Sequence, residues 1–235
     1  MGYLPIFLDV GGRQCVVIGS GPSAGARIRA LLEAGAMVTV VSREAADRMD
    51  LGDEGSRVRL LTRSYQYGDL CGSSLVYITD GDAELVDRAA GEARERGVPL
   101  NVVDDPQSST FISPASIRRG DLQIAISTGG ASPSVTRMIR QRLEQQFGPE
   151  YGLLLKVMRR ARQFVRSRRP NQPERSVILQ SLAAALLDSI GKLDDTMLEQ
   201  TLRVHLDAGI TELGLDVELQ DKAVTDMAGA QARNN

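Results

Sequence analysis

Short continuous apolar runs alternate with amphipathic stretches through the first half of the chain, while the second half is almost entirely amphipathic. Tyr3–Leu8, Gln14–Ile18, Met37–Val41, Val58–Leu61, Ser74–Ile78 and Pro99–Val103 read as strands. Met37–Val41 is apolar without alternation, the mark of a strand covered on both faces of a parallel sheet. Ala24–Glu33 reads as a helix with Ala26, Ala30, Leu31 and Leu32 on one face, ended by Gly35. Asp82–Arg96 reads as a second helix, ended by Gly97. This alternation predicts an α/β fold with a Rossmann-like, doubly wound parallel sheet through about residue 112.

Leu122–Ser127 reads as one more strand, and Ser132–Gln146 as a long helix with Val135, Met138, Ile139 and Leu143 on one side. Beyond Gly148-Pro149 only helices are expected, over 151–168, 176–190 and Asp195–Ala208. From Lys222 onward the residues are small and polar, and a frayed tail over 222–235 is expected.

Composition narrows the picture. Aromatic residues make up only 4% of the chain and Trp is absent, so the core must be built from Leu, Val, Ile and Ala. A net charge of −2 supplies no global field for nucleic acid or a membrane surface, and neither is an expected partner. No apolar run approaches the roughly 18 residues a membrane span needs, and no signal peptide is visible, so a cytoplasmic location is expected. Cys15 and Cys71 form no C-x-x-C pair; Cys15, within an apolar run, reads as a buried free thiol of a reducing compartment. His205, the single histidine, reads as structural, and no Cys/His spacing suits a metal.

Three strings carry the candidate chemistry. Gly19-Ser20-Gly21-Pro22-Ser23-Ala24 fits the G-x-G-x-x-A dinucleotide fingerprint in its strand–turn–helix setting. One glycine permits the turn, the next lets pyrophosphate approach the backbone, and Ala24 lets helix and strand pack closely. The helix N terminus adds amide donors and partial positive charge. About twenty residues on, Ser42 and Glu44 are candidates for the ribose hydroxyls, whereas Arg43 would favour a 2′-phosphate, so these residues leave NAD and NADP both open. The strand end Thr79-Asp80 is a further candidate for cofactor contact, as is Val103. In the second string, Asp104 and Asp105 end a buried strand where open sheets face their ligand; Asp104 is the candidate for proton transfer or metal contact, and a turn role is the alternative for both. In the third, Ser127, Thr128, Gly129 and Gly130 offer hydroxyls and open amides ahead of Ser132, a helix N-cap, and Pro133. Arg137, Arg140 and Arg142, then Lys156, Arg159, Arg160, Arg162, Arg166, Arg168 and Arg169, make either a solvated face or a cradle for several carboxylates.

Taken in order, these strings resemble the precorrin-2 dehydrogenase family, the dehydrogenase/ferrochelatase part of siroheme synthase. The resemblance runs over about residues 3–145: Tyr3-Leu4-Pro5-Ile6-Phe7-Leu8, the glycine turn, Thr79-Asp80, Asn101–Pro106, Phe111-Ile112-x-Pro114-Ala115 and Ser127–Pro133. Ala26-Arg27 stands where members commonly carry Arg-Lys. The resemblance implies an NAD-binding Rossmann domain over 1–112, a dimerisation segment over 113–148 and a small helical domain over 149–221. It implies NAD-dependent oxidation of precorrin-2 to sirohydrochlorin, with ferrous iron a further substrate in some members. The family's essential aspartate matches Asp104, its phosphate-binding glycines Gly19 and Gly21, and its serine-rich turn Ser127 and Thr128. Substrate contacts are expected at Asp105, Ser127–Gly130 and Arg137, and a homodimer is expected. A nucleotide-sensing regulatory Rossmann module is the alternative reading; a tetrapyrrole carrier without cofactor is a third.

Overall fold

The computed structural model describes residues 2–44, 56–169, 171–192 and 194–215. The chain divides into two compact units, Met1–Ser113 and Pro114–Asn235. The tail expected over 222–235 lies outside the described residues.

The first unit contains β1 (Gln14–Ile18), α1 (Gly21–Glu33), β2 (Met37–Ser42), β3 (Val58–Thr62), β4 (Leu75–Ile78), α2 (Ala83–Arg96) and β5 (Leu100–Val102). Its five strands form one sheet in the order β3-β2-β1-β4-β5, every pairing parallel. The winding reverses between β1 and β4, which makes that gap the switch point where open α/β sheets bind ligands. Alternate residues of β1 serve opposite faces, as the strand period requires. Cys15 and Val17 pack with Ile28, Leu31 and Leu32 of α1. Val16 and Ile18 join the other layer, with Ala89 and Ala93 of α2. Cys15 is fully buried, and burial pushes its thiol up to about 11.

Helix α1 begins at Gly21 rather than at Ala24, because Pro22 in its first turn needs no N–H partner and has the right φ for a helix start. The strand expected over Tyr3–Leu8 does not form: Leu4, Ile6 and Phe7 are 83%, 71% and 71% exposed. β1 is already flanked by β2 and β4, Pro5 offers no ladder donor, and the β5 edge is occupied. There the chain doubles back, and Thr110 N donates to Leu100 O (2.8 Å). Leu100 N donates to Thr110 Oγ1 (2.8 Å) and Val102 N to Ser109 Oγ (2.9 Å), so two hydroxyls stand in for carbonyls of a sixth strand.

A buried carboxylate pins the loop between β3 and β4. Glu92 of α2 accepts from the Tyr65 hydroxyl, Gly68 N (2.9 Å), Leu70 N (3.3 Å) and Arg96 Nε (2.6 Å). Burial pushes its carboxyl up, but the Tyr65, Gly68 and Arg96 donors together outweigh that and hold it below the usual range. Burial, and then the Glu92 carboxylate, push the Tyr65 phenol up.

The second unit opens with an antiparallel hairpin, β6 (Ala115–Arg119) and β7 (Leu122–Ile126), followed by α3 (Pro133–Gln146), α4 (Glu150–Arg168), α5 (Gln172–Asp188), a 3-10 turn at Ile190–Lys192 and α6 (Asp195–Leu206). The hairpin turn touches α4 closely: a Cβ on Gly120 would stand 3.3 Å from Gly152 Cα. Leu154, Val157 and Ala161 of α4 pack with Leu182 and Leu186 of α5 and Leu198 and Leu202 of α6. α5 starts at Gln172, earlier than expected, with Pro173 accommodated in its first turn. α3 buries none of its residues; Val135, Met138 and Ile139 are exposed. Among the described residues no helix is long and apolar enough to cross a membrane.

Candidate active site

The parallel ladder brings the carboxyl ends of the strands into one row. Gly19 N donates to Val41 O (2.9 Å), Thr79 N to Ile18 O (2.8 Å) and Val103 N to Ile78 O (2.9 Å). The row therefore runs from the end of β2 through Gly19 and Thr79 to Val103, across the switch point. With neighbouring strands about 4.8 Å apart, Val103 lies about 10 Å from Gly19 along this edge.

The two glycines of the turn do different work. Gly19 has φ +122°, and a Cβ there would stand 2.5 Å from Thr79 Oγ1 and 2.9 Å from Asp80 N, so its bareness lets the turn meet the β4 end. Gly21 has φ +79° and nothing within 4 Å of a would-be Cβ. Ala24 is fully buried. Ser20 flanks α1 without capping it, and no side chain among the described residues bonds the helix's first amides. An open glycine beside an uncapped helix N terminus fits a pyrophosphate. Ser23 is half-buried in that first turn, and Pro22 is exposed.

The β2 end has a defined polar arrangement. Ser20 Oγ donates to Glu44 Oε2 (3.1 Å), tying the glycine turn to the acid. Ser42 is buried and its Oγ accepts from Glu44 N (3.1 Å). Arg43 is directed instead at the Ser64 hydroxyl, to which its Nε donates.

Asp104 and Asp105 are separated in role. Asp105 Oδ1 accepts from Gln107 N (3.0 Å) and Ser108 N (3.1 Å), closing a turn. The Ser108 hydroxyl and amide hold its carboxyl below the usual range. Ser109 Oγ also donates to Asp105 O (2.7 Å), fastening the turn from the other side. Asp104 is exposed, has φ +62°, and has no hydrogen-bond or ion-pair partner among the described residues. A left-handed backbone at a non-glycine residue costs about 1–2 kcal/mol, and its neighbours hold it there. Asp80, at the adjacent strand end, is exposed as well.

Ser127, Thr128, Gly129, Gly130 and Arg137 belong to the second unit. Thr128 Oγ1 accepts from Ser132 N (3.2 Å) and bonds Thr136 Oγ1 (3.0 Å), so this hydroxyl is spent on the turn. Ser132 caps α3 through Val135 N (3.3 Å). Ser127, Gly129, Gly130 and Arg137 are exposed, and the glycines have φ +61° and +85° with open space around them. His205 Nδ1 meets Ser181 Oγ at 3.1 Å, a contact between α6 and α5. Among the described residues no group of three or more His, Cys, Asp or Glu gathers as metal ligands. The sequence reading missed the Ser109 and Thr110 hydroxyls that hold the Asp104 turn; the run Ser108-Ser109-Thr110 just after Asp-Pro is the signal that could have revealed them.

Comparison with known proteins bears on the whole arrangement. Residues 6–115 match a family described as putative NAD(P)-binding, and residues 119–146 one described as sirohaem biosynthesis protein central. Over these residues the chain is similar to siroheme synthases. It is 37% identical over 168 residues to a siroheme synthase of Methylobacillus flagellatus, covering 72% of this chain and 36% of that protein. With the Chromobacterium violaceum siroheme synthase the identity is 34% over 211 residues, 89% of this chain and 45% of that protein. The chain thus spans less than half the length of these siroheme synthases. A solved structure, SirC, precorrin-2 dehydrogenase, shares the fold with a TM-score of 0.66 at 21% identity, covering 81% of this chain and all of that one.

Proposed function

We propose that this chain is an NAD-dependent dehydrogenase that oxidises precorrin-2 to sirohydrochlorin. One observation carries the reading: Asp104, strained, exposed and unpartnered, stands on the same strand edge as the open Gly21 and the uncapped α1 terminus. Such a carboxylate is placed to accept a proton without first breaking a bond of its own. The siroheme synthase relatives and the SirC fold supply the substrate class.

Gly19, Ser20, Gly21, Pro22 and Ser23 would hold the pyrophosphate, with Ser42 and Glu44 at the adenosine ribose and Thr79, Asp80 and Val103 along the edge towards Asp104. Bound there, NAD supplies the hydride acceptor. Asp104 receives or directs the proton released from carbon. Asp105 keeps the turn rigid through its bonds to Gln107 N and Ser108 N, and is the proposed neighbour of the substrate beside Asp104. Exposed Ser127, Gly129, Gly130 and Arg137 are the proposed donors to substrate carboxylates, whose negative charge suits amides and guanidinium. Thr128 supports that turn from within. The exposed Val135, Met138 and Ile139 of α3 are the proposed contact of a homodimer.

The test is anaerobic: purified protein, precorrin-2 and NAD, with the absorption spectrum followed to sirohydrochlorin. Asp104→Ala is expected to lose at least about 100-fold in turnover while calorimetry finds its NAD affinity unchanged. Absence of conversion by folded parent protein overturns the reading, and undiminished turnover in Asp104→Ala removes that residue from it. Running the assay with and without ferrous iron separates dehydrogenation alone from dehydrogenation followed by iron insertion.

A further inference from the structure

Helix α4 carries more positive charge than the proposed reaction uses. Arg159 is ion-paired with Asp121, and Arg168 lies over the Phe164 ring, 4.1 Å from its centroid. Arg162 and Arg166 are different. They stand one helical turn apart, both exposed, and neither has a hydrogen-bond or ion-pair partner among the described residues. They line one side of a cavity of about 520 Å³ between α4 and α5. Arg175 of α5 lines the other, with one N–H donating to Arg169 O (3.4 Å), which leaves the rest of its five-donor fork free. Gln172 and Ser176 add polar groups, and Leu179 adds apolar surface.

Among the described residues no carboxylate lines this cavity. Like charges four residues apart destabilise a helix by a few tenths of a kcal/mol, and here nothing offsets them, in a chain whose net charge is −2. The neighbouring basic cavity, about 320 Å³, offers the contrast: it contains Asp121, which neutralises Arg159. A volume of about 520 Å³ exceeds what a single oxyanion fills and lies in the range of small-molecule sites. Three planar forks around an apolar patch match a ligand with several carboxylates on an apolar body.

We propose that the α4–α5 cavity is a binding site for an organic polycarboxylate, its carboxylates paired with Arg162, Arg166 and Arg175 and its apolar edge against Leu179. Naming a tetrapyrrole as that polycarboxylate rests on the function proposed above; the site itself does not. The probe is uroporphyrin I, an eight-carboxylate tetrapyrrole, titrated against the full chain by its own fluorescence anisotropy. Arg162→Ala with Arg166→Ala is expected to weaken a component of binding at least tenfold while leaving NAD affinity unchanged. Both residues are exposed, and circular dichroism checks that the fold is kept. Asp104→Asn is expected to leave that component in place. Equal porphyrin binding by the parent and the double variant overturns the proposal. Failure of the proposed reaction gives a different pattern, arginine-dependent binding without turnover of precorrin-2. Inorganic triphosphate is the second probe: tighter arginine-dependent binding of it than of the porphyrin overturns the carboxylate assignment.

Discussion

Asp104 combines two properties that a purely structural residue has no reason to combine. Its backbone occupies a conformation that glycine would adopt without penalty, and its carboxylate makes no bond among the described residues that repays the strain. Asp104→Gly should therefore leave thermal stability unchanged or raise it by up to about 1 kcal/mol, while abolishing turnover. A melt showing a loss of several kcal/mol would make the residue structural. The two turn glycines should separate in the same way. Gly19→Ala forces a collision with Thr79 and Asp80 and should lower stability and NAD affinity together. Gly21→Ala meets no protein atom, so it should cost about 1 kcal/mol of backbone strain and a larger share of affinity, read by paired melts and calorimetry. At the β2 end, the Glu44 carboxylate held by Ser20 would face a 2′-phosphate with like charge, while Arg43 is occupied at Ser64. NAD should bind at least tenfold more tightly than NADP, a difference of about 1.4 kcal/mol, and Glu44→Ser should narrow the gap. Equal affinities for the two cofactors would remove Glu44 from the ribose.

Elements with a strong period or a strong stop were legible in the sequence. The buried run of β2 reveals itself by continuity, α2 by Gly97 in the left-handed conformation at its end, and α3 by the Ser132 cap and Pro133. The glycine turn was legible because Gly19 and Gly21 answer to separate physical demands at a fixed spacing. What escaped depends on partners distant in the chain. Tyr3–Leu8 has the composition of a strand but lies outside the sheet, with Leu4, Ile6 and Phe7 exposed. β6 was hidden because its partner makes it a strand: Ser116 and Arg118 alternate with Ile117, and only pairing with β7 orders them. The division of labour between Asp104 and Asp105 was not visible either, since two adjacent carboxylates differ only in which one the following amides reach. Nor was Glu92, a charged residue in an amphipathic helix whose burial depends on a loop more than twenty residues away. Glu92→Gln keeps the shape but loses charge-assisted bonds, and should cost about 2–4 kcal/mol. Because the folded carboxyl is held below its unfolded value, its contribution is complete above about pH 4.3 and disappears as pH falls through the folded value. Glu92→Gln should flatten the acid side of the stability profile; an unchanged acid limb would show the network to be inconsequential.

At the scale of the molecule, two units with separate cores carry separate candidate surfaces. The first unit concentrates its polar chemistry on one sheet edge; the second keeps an apolar helix face and a cationic cavity. The apolar face is the one with a consequence for assembly. Met138→Asp places a charge where α3 buries nothing of its own, so it should leave the monomer's fold intact and shift the sedimentation coefficient from dimer to monomer. A monomeric parent protein would dispose of that assignment.

The hydroxyls that border β5 have a further effect. Growth of a sheet by adding a strand requires a row of unsatisfied amides, and Ser109 and Thr110 have already consumed those of Leu100 and Val102. Neither a second copy nor an extended peptide can lengthen the sheet on that flank. Self-association through this flank must use side chains alone, and the Asp104 turn beside it is spared the backbone-mediated aggregation to which open sheet margins are prone.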